Sequence, residues 1–172
     1  ANDTILIRLG SMSVLESVTN ETVKIFSGSM LICLRDNAEI TLKSENASVS
    51  LKGKLTAIIE CTSNGGFKFI PLEGKGTIIP QEGQSKVIKS GRLMMGVGSP
   101  SKLGNAYDID LLLMLKSSRL INSFPKPLPS MKSISLAIYY QQLRLKGKYN
   151  ALIGDAPTDD NLQMWAFGKD SK

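Results

Sequence analysis

The chain of 172 residues has no histidine, only two cysteines, one tryptophan and an aromatic content of 6%. Each shortage removes a class of function. Histidine is the side chain that changes charge near neutral pH without strong perturbation, and it is the commonest metal ligand, so its absence takes away the usual hydrolytic triads and most metal centres. Two cysteines with no imidazole make no zinc site. Few aromatics means no stacking series for bases, and the basic residues behind the net charge of +6 are scattered. Their densest group, Arg144, Lys146 and Lys148 beside Tyr149, reads as a solvated face, so no nucleic-acid partner is expected. Long apolar runs are missing too. Leu111 to Leu115 lies between Asp110 and Lys116, far short of the ~20 residues that span a bilayer as a helix.

What is present is an ordinary globular balance, 42% hydrophobic and 21% charged, in a chain long enough to bury roughly two-thirds of its unfolded surface. Short runs rich in β-branched and apolar residues follow one another: Ile5 to Leu9, Val14 to Val18, Val23 to Phe26, Met30 to Leu34, Ala38 to Leu42, Val49 to Leu51 and Leu55 to Cys61. Turn chemistry separates them, as at Arg35-Asp36-Asn37, Ser44-Glu45-Asn46 and Asn64-Gly65-Gly66, where residues tolerate positive φ or bond their own backbone. The first two runs, joined by Gly10-Ser11, are expected to form an opening hairpin. Phe67, Phe69, Thr77 to Ile79, Gln84 to Ile88 and Leu93 to Val97 continue the pattern, with Pro71 and Pro80 marking edges or strand ends.

Beyond Gly98-Ser99-Pro100 the periodicity turns helical. Asp108 is expected to cap a helix through Leu111, Leu112, Leu115, Leu120 and Ile121, stopped by Pro125-Lys126-Pro127. Ile134 to Leu145 fits a strand as well as a helix and is assigned to helix. A last short helix from Thr158 or Asp159 carries Leu162 and Trp165 and is expected to dock the tail onto the body. The fold class is therefore mainly β, a sandwich or roll of short antiparallel strands, with a C-terminal helical extension. The β-domain takes residues 1–98 and the extension 99–172, packed as one structural unit.

Candidate chemistry is thin. Asp108 with Asp110, and Asp155 with Asp159 and Asp160, could act as carboxylate pairs, but turns and helix starts account for them. The second group lacks calcium-loop spacing. Gly96-Val97-Gly98 is followed by Ser101, not a third glycine, and no βαβ unit surrounds it. No catalytic, cofactor-binding or metal-binding residue is assigned, and no enzyme is expected. Cys33 and Cys61 could form a disulfide across neighbouring strands or stay as buried thiols. Three Asn-x-Ser/Thr triplets, at Asn2, Asn20 and Asn46, matter only in a eukaryotic secretory setting. The chain begins at Ala1, as it would after signal-peptide removal or after trimming.

The stretch Val23-Lys24-Ile25-Phe26-Ser27-Gly28-Ser29 to Leu51, then Leu55 to Glu60, Phe67-Lys68-Phe69, Leu72-Glu73-Gly74-Lys75-Gly76 and Lys89-Ser90-Gly91-Arg92-Leu93, resembles FecR-like domains. The resemblance covers about Val23 to Val97. It implies a periplasmic or secreted, non-enzymatic β-domain, of a kind whose best-known members relay a signal from an outer-membrane receptor to a sigma factor. It carries over no binding residues. The 172 residues depart from that arrangement in showing no transmembrane helix and no cytoplasmic anti-sigma segment and in the expected helical tail from Asp108 onward. The leading expectation is a protein-interaction, envelope signalling or scaffold module that meets a protein partner, or a second copy of itself, through exposed strand edges. The alternative is a carbohydrate- or small-ligand-binding β-sandwich, with Trp165, Tyr107, Tyr139 and Tyr140 as stacking residues.

Overall fold

The computed structural model describes residues 4–145. Ten strands form one hydrogen-bonded sheet: β1 (Ile5–Leu9), β2 (Val14–Thr19), β3 (Thr22–Ser27), β4 (Ser29–Leu34), β5 (Glu39–Lys43), β6 (Ser48–Cys61), β7 (Phe67–Pro80), β8 (Lys86–Lys89), β9 (Arg92–Val97) and β10 (Lys102–Asp108). Three helices follow: α1 (Leu111–Ser117), α2 (Arg119–Asn122) and α3 (Met131–Leu145). The chain is thus mainly β with a helical region at its C-terminal side. β10 continues the sheet beyond residue 98 by pairing with β9.

Two strands of 14 residues, β6 and β7, organise the sheet. They pair from Val49↔Pro80 to Cys61↔Phe67. The first half of β6 pairs with β5 and the second with β4, while β7 pairs with β9 at its start and β8 near its end. The sequence pattern splits each into two short strands, because Gly53, Gly74 and Gly76 sit at the middle. Those glycines bend the hairpin without ending it. Gly74 has φ +81°, and a Cβ there would lie 2.3 Å from the Lys54 carbonyl oxygen, so only glycine lets the strands approach this closely. Pro71 falls beside the register shift between Thr56 and Ala57, where the flank of β7 passes from β9 to β8. An interior proline is tolerated there because no ladder bond is lost.

The expected opening hairpin does not form. β1 pairs with β4, and β2 with β3. The chain crosses after Leu9 around the start of β4, where Gly10 N–H donates to Ser29 O and Ser13 Oγ accepts from Ser29 N–H. One pairing is parallel, β3 with β5, since β4 between them runs in the other half of the roll.

Bending gives two apolar cores. The inner one holds Ile25, Met30, Ile32, Leu34, Leu51, Leu55, Phe67 and Phe69 among others. The second lies between the sheet's outer face and the helices, with Leu31, Ile58, Ile70, Leu72, Leu93, Met95, Met114, Ile134 and Ile138. Strands buried on both faces need near-continuous hydrophobic sequence, which explains Met30 to Leu34. Asp110, not Asp108, caps α1, its carboxylate accepting from Leu113 N–H at 2.9 Å. Asp108 instead ends β10, with Arg144 Nη2 at 2.5 Å. The ambiguous Ile134–Leu145 stretch is helical, and Ile134, Ile138 and Gln141 form its buried face.

Candidate protein-interaction surface

Four strands of the described residues have a neighbour on one side only: β1, β2, β8 and β10. Three are blunted in ways that discourage further pairing. β2 has two register irregularities and carries Glu16. β8 carries Lys86 and Lys89. β10 has a bulge between Leu103 and Ala106 and carries Lys102 and Asp108. β1 differs. Its register with β4 is regular throughout, and its only charge, Arg8, is buried. Leu6, Ile7 and Leu9 are exposed, and Met12 and Val14 extend the apolar line past the strand.

The pairing pattern also fixes which backbone groups are free. Arg35 N–H donates to Thr4 O and Gly10 N–H to Ser29 O, and bonded residues alternate in an antiparallel ladder. Leu6 and Arg8 therefore bond inward to β4, and Ile5, Ile7 and Leu9 turn their N–H and C=O groups outward.

Arg8 anchors this edge to the helices. Its guanidinium donates to the carbonyl oxygens of Leu120 and Ile121 at 3.0 and 3.1 Å, donates to that of Lys126, and lies 4.7 Å from the Phe124 ring centroid. Loss of hydration lowers its pKa from the ordinary value, an effect that the nearby Cys33 partly opposes. Next to Leu9 a cavity of about 220 Å³ is lined by Gly10, Arg119, Leu120 and Phe124. A second, of about 390 Å³, lies between Cys33, Arg35, Asp36, Lys54, Glu73 and Ser130. There Thr56 Oγ1 stands 2.7 Å from both Glu73 Oε1 and Ser130 Oγ. Two bases face two acids in that cavity, which gives it no net preference for an ion of either sign.

The structure does not bring Cys33 and Cys61 together. Both are free thiols. Cys33 is paired with Thr56, five residues before Cys61 on β6, a separation of about 16 Å at ~3.3 Å per residue. That is far beyond the reach of a disulfide. Tyr107 packs on the helix-side core, while Tyr139 and Tyr140 stand exposed on α3 with ring centroids 5.8 Å apart. Neither cavity above is lined by a tyrosine. Trp165, Asp155, Asp159, Asp160 and the expected last helix lie outside the described residues. Among the described residues no three His, Cys, Asp or Glu side chains gather to hold a metal, and no helix is long and apolar enough to cross a membrane. Composition did not single out the β1 edge or Arg8. The available signal was one arginine inside Ile5 to Leu9, an otherwise aliphatic run.

The fold is a bent, mainly-β roll backed by helices. No protein-family model matches the sequence, and no curated protein does. Two solved structures from Parabacteroides distasonis ATCC 8503, each described as a "putative anti-sigma factor", are similar to it. One shares 11% identity at a TM-score of 0.49, over 68% of this chain and 58% of the other. The second shares 10% at 0.38, over 58% and 45%. The chain spans less than two thirds of the length of either.

Proposed function

We propose that this chain is a non-enzymatic FecR-like domain that works in the periplasm or outside the cell as a protein-interaction module in envelope signalling or scaffolding. The strand and turn pattern from Val23 to Val97 supports the family and, with it, the compartment. The interaction role rests on one observation: β1 is a regular edge whose single charge, Arg8, is buried, on a sheet whose three other edges are blunted. An extended segment of a partner protein adds along β1, bonding to the outward groups of Ile5, Ile7 and Leu9 and covering Leu6, Ile7 and Leu9 with its alternate side chains.

Ile7→Pro tests this reading, because it removes one outward donor and leaves the inward bonds to β4 in place. The natural chain is expected to recover a stoichiometric partner, or a second copy of itself, from envelope extract, and the variant to lose it while keeping its thermal unfolding transition. Recovery of no partner, or equal recovery by the folded variant, overturns the proposal.

A further inference from the structure

Among the described residues nothing covers the apolar outer face of α3. Leu136, Tyr139, Tyr140 and Leu143 are 52, 56, 61 and 52% exposed. Their spacing of three, four and seven places them in one stripe, on the side of α3 opposite the buried Ile134, Ile138 and Gln141. A helix that is apolar on both sides is built to be covered on both. α3 carries Lys132 and Arg144 and no carboxylate; Arg144 is paired with Asp108 of β10, so the positive charge offered beside the stripe is that of Lys132.

Residues 146–172 follow α3 directly, and within them the stretch Asp159 to Phe167, which holds two aspartates and no lysine or arginine, has the complementary chemistry. Asp155, Asp159 and Asp160 precede Leu162, Met164, Trp165 and Phe167. We propose that the segment Asp159 to Phe167 docks on the Leu136–Leu143 stripe, with its aspartates toward Lys132 at the start of α3. Residues 146–158 can reach about 40 Å when extended, whereas the stripe is only about 10 Å long at ~1.5 Å per helical residue, so the chain has ample length to turn back. A segment on the same chain acts at an effective concentration in the ~mM range, which favours it over a second copy.

Trp165 is the one tryptophan of the sequence, so its fluorescence reports the environment of this segment alone. Acrylamide quenching is measured on the full chain, native and in denaturant, and on two folded variants. Tyr140→Glu/Leu143→Glu alters only exposed residues of the stripe, and Asp159→Lys/Asp160→Lys alters only the segment. Trp165 is expected to be severalfold less accessible in the native chain than in denaturant, independently of protein concentration, and each variant is expected to raise its accessibility. Equal accessibility in native and denatured chains overturns the proposal. So does protection that grows with concentration, which would mark a second copy as the occupant, or protection that neither variant changes.

Discussion

The side-chain amide of Gln141 fits against Gly91 so closely that a Cβ at position 91 would lie 2.3 Å from Gln141 Nε2. This amide is buried and fully bonded. Nε2 donates to Ile109 O at 2.6 Å and Gly91 O at 3.3 Å, and Oε1 accepts from Leu111 N–H at 3.1 Å. One residue of α3 thereby ties that helix to the entry of α1 and to the turn before β9. Gly91→Ala is expected to cost about 2–4 kcal/mol, from the strain of a left-handed alanine at φ +75° and from displaced hydrogen bonds. Gln141→Leu is expected to cost about 2 kcal/mol, and the double variant less than the sum, because both changes break the same contact. Urea unfolding of the three variants measures this. Strict additivity would show that the two residues do not act on each other.

Arg8 offers a second test, because it is a charge inside an otherwise aliphatic edge. Arg8→Met keeps much of the apolar stem and removes every donor, leaving the carbonyls of Leu120, Ile121 and Lys126 without this partner. A loss on the order of 3 kcal/mol is expected, since charged hydrogen bonds and stranded buried acceptors each weigh ~1–3 kcal/mol. Arg8→Lys is expected to recover only part of it, because an ammonium cannot span three carbonyls as the planar fork does. Thermal and urea unfolding read both variants, and a full rescue by lysine would refute the fork argument.

The sequence showed element type better than it showed partnership. Most strands and turns follow from local periodicity and turn residues, whereas the periodicity of Ile134 to Leu145 fits strand and helix alike. Pairing does not follow from these signals: the runs Ile5 to Leu9 and Val14 to Val18 read as a hairpin because they are adjacent, yet Ser29 draws both ends of their connection to the start of β4. Likewise Gly53, Gly74 and Gly76 read as strand ends, although between two long paired strands they are bends. The β1 edge was hidden because exposure depends on which strand lies beside it. Asp108 missed its expected role by two residues, since strand β10 runs to that position and Asp110 is the first free to cap.

Cys61 links stability to pH. Burial, and then the negative charge of Glu45, raise its thiol pKa above the ordinary value. Below the unfolded thiol's pKa both states hold the proton and the contribution is fully present. As pH rises past that value toward the folded pKa, the unfolded chain ionises first, so stability falls with increasing alkalinity. Cys61→Ala is expected to flatten this alkaline slope, read from urea midpoints across the range above the usual thiol pKa. Iodoacetamide is expected to label Cys61 of the folded chain more slowly than a peptide thiol, and faster in Glu45→Gln. Mass spectrometry of the unfolded chain, alkylated without reductant, is expected to show two labelled cysteines. A slope unaffected by Cys61→Ala would show that another group controls it.

The edge parity of β1 makes a prediction at single-residue level. Leu6 and Arg8 bond to β4, whereas the amides of Ile5, Ile7 and Leu9 face away from it. Amide hydrogen exchange of the chain by itself is expected to alternate along the strand, slow at Leu6 and Arg8 and fast at Ile5, Ile7 and Leu9, because only the first set is held by the sheet. A partner strand would protect the second set and leave the first unchanged. Met12 and Val14, exposed beyond the strand, would gain protection only if the added segment continued past Leu9, so the pattern also measures its length. Uniformly slow exchange in dilute chain would mean the edge is already covered, and uniform exchange with no alternation would contradict the pairing of β1 with β4.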